Sequence, residues 1–392
     1  MTQELQNKLI DVSARLSTWL NEEALPLWRT RGFLGETGGF CETMELSGEP
    51  SLAPRRSRVP PRQIFCFAEA GARGWAGDWQ TAVSQGFTYY ERVYRLPNGF
   101  YGALASVDGV LLDDSFDLYN QAFALLAYAH TARAMPERAQ EMAKNASDML
   151  SALKAGYAHA EAGFEEAIPS RLPLCSNPHM HLFEAALACE AQSGFDEKAW
   201  ASLSDEIAQL CMRRFIDADT GGLREFFAAD WTPYGGIKGR IMEPGHQFEW
   251  AWLLARWAER RANPQALEKA RRLFAIGEDH GICPQRRVAV MALLDDFSVH
   301  DPLARLWPQT EWLKSAVRLA ALSTGEERNH YLASALVAAD ALGQFMNVTV
   351  AGLWRDKLSA DGRFVEEPAP ASSFYHILCA IYEVEDCLAR LS

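Results

Sequence analysis

Among the nine histidines of this 392-residue chain, His246 has the neighbours best suited to proton transfer. It lies in Glu243-Pro244-Gly245-His246-Gln247-Phe248-Glu249-Trp250-Ala251-Trp252. Pro-Gly interrupts regular structure just before it, which predicts His246 in the first turn of a helix. His246 and Glu249 stand three residues apart and so share a helix face. A carboxylate beside an imidazole orients it and raises its basicity, as a general base near neutral pH requires. The bland reading, a capping His and a surface Glu, fits poorly with Trp250, Trp252 and Leu253 alongside.

His376 opens the last long helix in Ser372-Ser373-Phe374-Tyr375-His376-Ile377, with either serine able to cap it. A single His in so apolar a stretch is commonly a satisfied core residue. Its functional reading depends on the repeat described next. Asn177-Pro178-His179-Met180-His181-Leu182-Phe183-Glu184 places Asn177, His181 and Glu184 on one face. His179 and His181 could ligate a metal, but no third ligand stands out, so neither metal nor cofactor is expected. Arg62 starts an apolar helix, where a buried cation calls for an anion or oxyanion. Trp307-Pro308-Gln309-Thr310-Glu311 and Asp117-Leu118-Tyr119-Asn120-Gln121 each put an aromatic and hydrogen-bonding groups at a helix start.

The elements that must position these groups are helical. Apolar residues recur at helical spacing from Leu5 to Leu20, and again around 77–95, 117–134, 137–154, 179–193, 197–214, 245–261, 264–279, 284–298, 307–323, 327–345 and 371–390. Glycine followed by a large apolar residue punctuates them at Gly39, Gly99, Gly163, Gly222, Gly281 and Gly352. About sixty residues separate successive marks, room for two helices and their loops. Six helical hairpins closing into a ring, an all-α (α/α)6 barrel occupying residues 1–392 as one catalytic domain, is the expectation. At similar depth in the six units stand Arg62, Gln121, His181, His246, Gln309 and His376, all expected to face one central cavity.

Composition narrows the partners. With 38 basic against 51 acidic residues the net charge is −13, and no broad basic face offers itself to nucleic acid or an anionic membrane. The run Arg55-Arg56-Ser57-Arg58 is the exception, able to hold a phosphate or to be a solvated loop. Eight scattered cysteines without a CxxC pair suit buried thiols in a reducing compartment. No signal peptide or membrane-length apolar run is seen, so a cytoplasmic location is expected.

At Gly-His-x-x-Glu (His246, Glu249), Asn-x-x-x-His (Asn177, His181), Arg62, Trp-Pro-Gln-x-Glu (Trp307–Glu311) and the terminal Tyr-His (His376), the chain resembles the N-acylglucosamine 2-epimerase superfamily. That resemblance implies an (α/α)6 barrel and a general acid/base pair at His246 and His376, with Arg62 and Glu249 assisting. It further implies a monosaccharide substrate bound by Asn177 and His181, in a monomer or homodimer; Tyr119, Gln121, Trp307, Gln309, Glu311 and Trp354 complete the expected substrate set. The expected reaction is mannose–fructose interconversion through a cis-enediolate. Its alternatives are 2-epimerisation of an N-acylglucosamine or free hexose, and isomerisation of a 6-phosphorylated hexose. A glycosidase on the same barrel would need paired carboxylates, for which Asp117, Glu184, Glu249 and Glu311 are candidates.

Overall fold

The computed structural model describes residues 2–35 and 37–391. Its helices are α1 (Thr2–Thr18), α2 (Val59–Ala72), α3 (Trp79–Tyr94), α4 (Leu118–Ala134), α5 (Ala139–Gly156) and α6 (Ser176–Glu190). There follow α7 (Glu197–Leu210), α8 (Pro244–Arg261), α9 (Pro264–Gly281), α10 (Leu306–Ala321), α11 (Gly325–Met346) and α12 (Ser372–Leu391).

Burial divides them into two rings. The odd-numbered helices are one-sided: α1 buries only Leu9, Val12 and Ser13. The even-numbered ones are buried nearly all round, as α10 is from Leu306 to Ala320. A helix apolar on every side must be enclosed, so the even helices form the inner ring. Each inner helix packs on the next, and α12 packs on α2 to close the circle. Caps fix where helices begin: Asp117 accepts from Tyr119 N at 2.9 Å, and Asn263 from Ala266 N at 3.0 Å.

One expected helix is absent. Residues 284–298 form turns and short strands, Val288–Ala289 and Ala292–Leu293, with Arg287 and Phe297 in the left-handed region at φ 56° and 63°. The run Val288–Leu294 is apolar because it packs as extended chain over the barrel end. Other two- and three-residue strands join neighbouring units at that end. Arg55–Arg56 pairs with Leu104–Ala105, Leu174–Cys175 with Phe226–Phe227, and Ala304–Arg305 with Lys357–Leu358. Thr43–Met44 pairs with Ala369–Pro370, tying the first unit to the last. Among the described residues no helix is long and apolar enough to cross a membrane.

Candidate active site

A cavity of about 270 Å³ opens at the barrel end where all six inner helices begin. Its walls include Arg62 on α2, Tyr119 on α4, Asn177 and His181 on α6, His246 and Glu249 on α8, Trp307 on α10, and Ser372, Ser373 and His376 on α12. Each lies in the first two turns of its helix, so six positive dipole ends surround the space. A negative charge developing there is stabilised before any side chain is counted.

His246 and His376 flank Trp307, whose ring lies 5.0 Å from one imidazole and 5.8 Å from the other. Each imidazole is fixed through Nδ1 by its own carboxylate. His246 Nδ1 donates to Glu225 Oε2 at 2.9 Å, and His376 Nδ1 donates to Glu311 Oε1 at 2.9 Å. Nε2 is therefore the free nitrogen on both rings. The two differ in charge. Burial works against a proton on His246, but Glu225 and Glu243 outweigh it and hold the imidazole up at about 10. Burial, Arg62 and Lys314 push His376 well below the ordinary range. At neutral pH one ring is an imidazolium and the other a neutral base.

The expected partner of His246 is thus corrected: Glu225 orients it, not Glu249. Glu249 is buried with neither carboxylate oxygen hydrogen-bonded, 3.9 Å from His181 Nδ1. Burial and the neighbouring Glu311 and Glu184 carboxylates raise it well above the carboxylate range, which keeps it protonated. His181 stands edge-on to Tyr119 at 4.8 Å, and burial takes its imidazole down to about 3. Arg62 is buried, donates to the Tyr119 hydroxyl, and lies over the Phe123 face at 4.0 Å. Among the described residues it has no carboxylate partner, and its buried Nε has no hydrogen-bond partner.

Gln121, Gln309 and Trp354 do not reach the cavity. Gln121 accepts from Tyr101 N and donates to Tyr101 O, both at 3.0 Å, and also donates to Asp117 O. Gln309 treats Ala289 and Arg305 O in the same way, and Gln247 spans Leu223. These are latches that hold a loop amide to the start of an inner helix. His179 is the third unit's latch, accepting from Phe164 N at 3.0 Å and donating to Cys175 O, so it is no companion ligand for His181. Gly163, at φ 76°, could carry no Cβ without meeting His179 Nε2 at 2.8 Å. Trp354 is fully buried between Trp28 and Phe374, at 4.9 and 5.8 Å. Glu311 stands behind His376, bound also to Lys314 at 2.6 Å. Arg55 is turned away from the cavity and bound to the Tyr89 hydroxyl, since successive strand residues face opposite sides.

Sequence reading passed over Glu225, Lys314, Glu243 and Arg305. A signal for Glu225 existed: Glu42, Glu166 and Glu225 each fall three residues after a punctuating glycine. Among the described residues, three clusters have ligand atoms close enough for a cation, each with its atoms within 4.8 Å of one another: His181–Glu184–Glu249, Glu225–Glu243–His246 and Glu249–Glu311–His376. Glu249, on α8, is the acidic neighbour of His181 and Glu184 that spacing along the sequence does not reveal.

Enclosed by a helical toroid, with two differently charged imidazoles and a free guanidinium, this cavity is suited to moving protons on a polyol. The chain matches the family described as N-acylglucosamine 2-epimerase over residues 38–380 and belongs to that family. It is an enzyme of the carbohydrate isomerase and epimerase class. A protein of Rhizobium meliloti (strain 1021) named mannose-6-phosphate isomerase is 65% identical over 379 residues, 97% of this chain and 98% of that one. The crystal structure of a D-mannose isomerase superposes with a TM-score of 0.85 at 20% identity, over 96% of this chain and 97% of that one. Cellobiose 2-epimerase from Spirochaeta thermophila DSM 6192 gives 0.85 at 20% identity over 99% of each. The (α/α)6 barrel is the fold of all three structures.

Proposed function

We propose that the protein is an aldose–ketose isomerase that interconverts a mannose-type aldohexose with the corresponding 2-ketose, fructose, through a cis-enediolate. The observation that carries this reading is the pair of imidazoles about Trp307, each held by its own carboxylate, with His246 favoured as the imidazolium and His376 as the neutral ring. The proton on C2 of an open-chain aldose is weakly acidic, and neutral His376 is the base placed to take it through Nε2. As the electrons move toward O1, the His246 imidazolium protonates that oxygen. Arg62 and the helix N-termini stabilise the charge shared by O1 and O2. His376 then returns its proton to C1 while His246 recovers one from O2, leaving the ketose. Trp307 offers a face to the sugar's C–H groups, and Asn177, with Oδ1 unpartnered, is a hydrogen-bond acceptor for a hydroxyl. Names of relatives support mannose as the skeleton, through the 65%-identical protein above.

Incubation with mannose, mannose 6-phosphate, glucose and N-acetylmannosamine in D2O, followed by proton NMR, tests it. The expected result is a new ketose carrying solvent deuterium at C1. A C2 epimer without ketose would replace the isomerase reading with the 2-epimerase one, and no exchange on any sugar would sink both.

A further inference from the structure

Three more guanidiniums line the cavity and have no task at C2: Arg56, Arg58 and Arg305. Their side chains are 45%, 27% and 33% exposed, so they stand at the mouth rather than beside the buried imidazoles. A carboxylate grips each one. Glu42 holds the Arg56 side chain and also accepts its backbone N at 2.9 Å. Asp117 holds Arg58 at 2.9 Å, with the guanidinium stacked on Tyr119 at 4.5 Å. Asp356 holds Arg305 through Nε at 2.8 Å and is itself fixed by Ser373 Oγ at 3.1 Å.

Each grip uses one edge of a planar fork that has five N–H donors. Among the described residues, Nη1 of all three arginines has no hydrogen-bond partner, and neither has the buried Nε of Arg58. Gripped guanidiniums have already lost their rotamer freedom, so their open edges are preorganised for a second anion. Ser372 and Ser373 add the first-turn amides of α12 to the same wall. A neutral sugar has no use for three such cations. A phosphate monoester, with several acceptor oxygens and a charge near −2, fits them.

We propose that Arg56, Arg58 and Arg305 form a phosphate subsite and that the preferred substrate is a hexose phosphorylated at C6. The inference rests on the C2 chemistry of His246 and His376 for its geometry. An open-chain hexose has C2 near one end and the C6 phosphate at the other, so the reacting carbon lies deep while the phosphate meets the mouth.

The test is calorimetric titration of the full chain with mannose 6-phosphate, mannose and inorganic phosphate in phosphate-free, low-salt buffer, alongside kcat/KM for both sugars. Mannose 6-phosphate should bind about 100-fold more tightly than mannose, with inorganic phosphate competing against it. Arg58→Ala and Arg305→Ala should each weaken mannose 6-phosphate about 10- to 100-fold and compress its preference over mannose, and Arg58→Lys should restore part of the loss. Equal affinity for the two sugars, no competition by inorganic phosphate, or equal proportional losses for both sugars in the variants overturns the subsite. Tight, arginine-dependent binding of mannose 6-phosphate without exchange at C2 upholds the subsite while the isomerase reading falls.

Discussion

Replacing Glu225 with glutamine keeps the shape of the group that orients His246 and removes its charge. Glu225 Oε2 accepts from His246 Nδ1 and from Ser176 Oγ, each at 2.9 Å, in a buried setting with little solvent screening. Holding an imidazole at about 10 instead of its ordinary 6.5 corresponds to about 5 kcal/mol of preference for the charged form. Burial opposes that charge, and with the Glu225 charge gone Glu243 is the main group left to offset it, so the ring falls back toward its ordinary range. At pH 8 an imidazole with pKa about 10 is about 99% charged, and one at 6.5 is about 3% charged. If His246 must donate a proton, titration alone lowers kcat of Glu225→Gln about 30-fold at pH 8, and the deficit shrinks to less than about twofold at pH 6. The pairing also stabilises the fold, fully below pH 6.5 and progressively less as pH rises through about 10, so the variant's stability deficit is largest at low and neutral pH. The assay is kcat for ketose formation from pH 5.5 to 9.5 in wild type and variant, with circular dichroism to confirm the fold. A wild-type to variant ratio that does not change with pH refutes the assignment of His246 as the acid.

His246→Asn and His376→Asn should each lower turnover by at least about 100-fold with an unchanged far-ultraviolet spectrum; full activity in either removes that residue from the mechanism. His179→Gln should preserve the latch, because glutamine does the same work at positions 121, 247 and 309. Burial lowers His179 to about 4 against 6.5 when unfolded, so wild type loses stability as pH falls through that window. Moving from pH 7 to pH 5 should therefore shift the stability difference by about 2 kcal/mol in the variant's favour, and urea unfolding at both pH values that gives one constant difference contradicts it. Treatment with EDTA should leave kcat unchanged; inhibition reversed by a divalent cation would assign a metal to one of the three His–Glu clusters.

The barrel was readable because its cause is repetitive: a sixty-residue glycine mark and alternating one-sided and all-round apolar helices. The site was readable where a group and its setting share one segment, as with His246 in its helix start or Trp307 after Arg305 and Leu306. Partnerships across units were not. Glu249 is the i,i+3 neighbour of His246, yet the loop carboxylate Glu225 reaches Nδ1 first, because the latch Gln247 on Leu223 fixes that loop two residues earlier. The same device explains Gln121 and Gln309. A polar residue recurring at equal depth signals shared structure before shared chemistry, and only burial and hydrogen bonds separate a latch from a ligand. Residues 284–298 misled for a simpler reason: an apolar run fits a buried strand as well as a helix face.

What gives the two histidines different charge states lies one residue beyond each. Both are buried, both donate Nδ1 to a carboxylate at 2.9 Å, and both sit at helix starts, where a dipole disfavours a proton. Those shared features cannot distinguish them. Among the described residues, Glu225 behind His246 is otherwise met only by neutral donors, Ser176 Oγ and Glu243 N; the Glu243 carboxyl, pushed up to about 7 by burial, adds a second negative charge 3.6 Å from the ring as pH rises. Behind His376, Glu311 is bound at 2.6 Å to the fully buried ammonium of Lys314, and Arg62 adds its charge from the cavity side. Lys314 therefore spends the negative charge that would otherwise hold a proton on His376. Lys314 is positioned through its own carboxylates, lies three residues along α10 from Glu311, and needs no contact with substrate to set the base. One helical hairpin, repeated six times, thus yields an acid and a base from the same side chain by changing what stands behind the carboxylate.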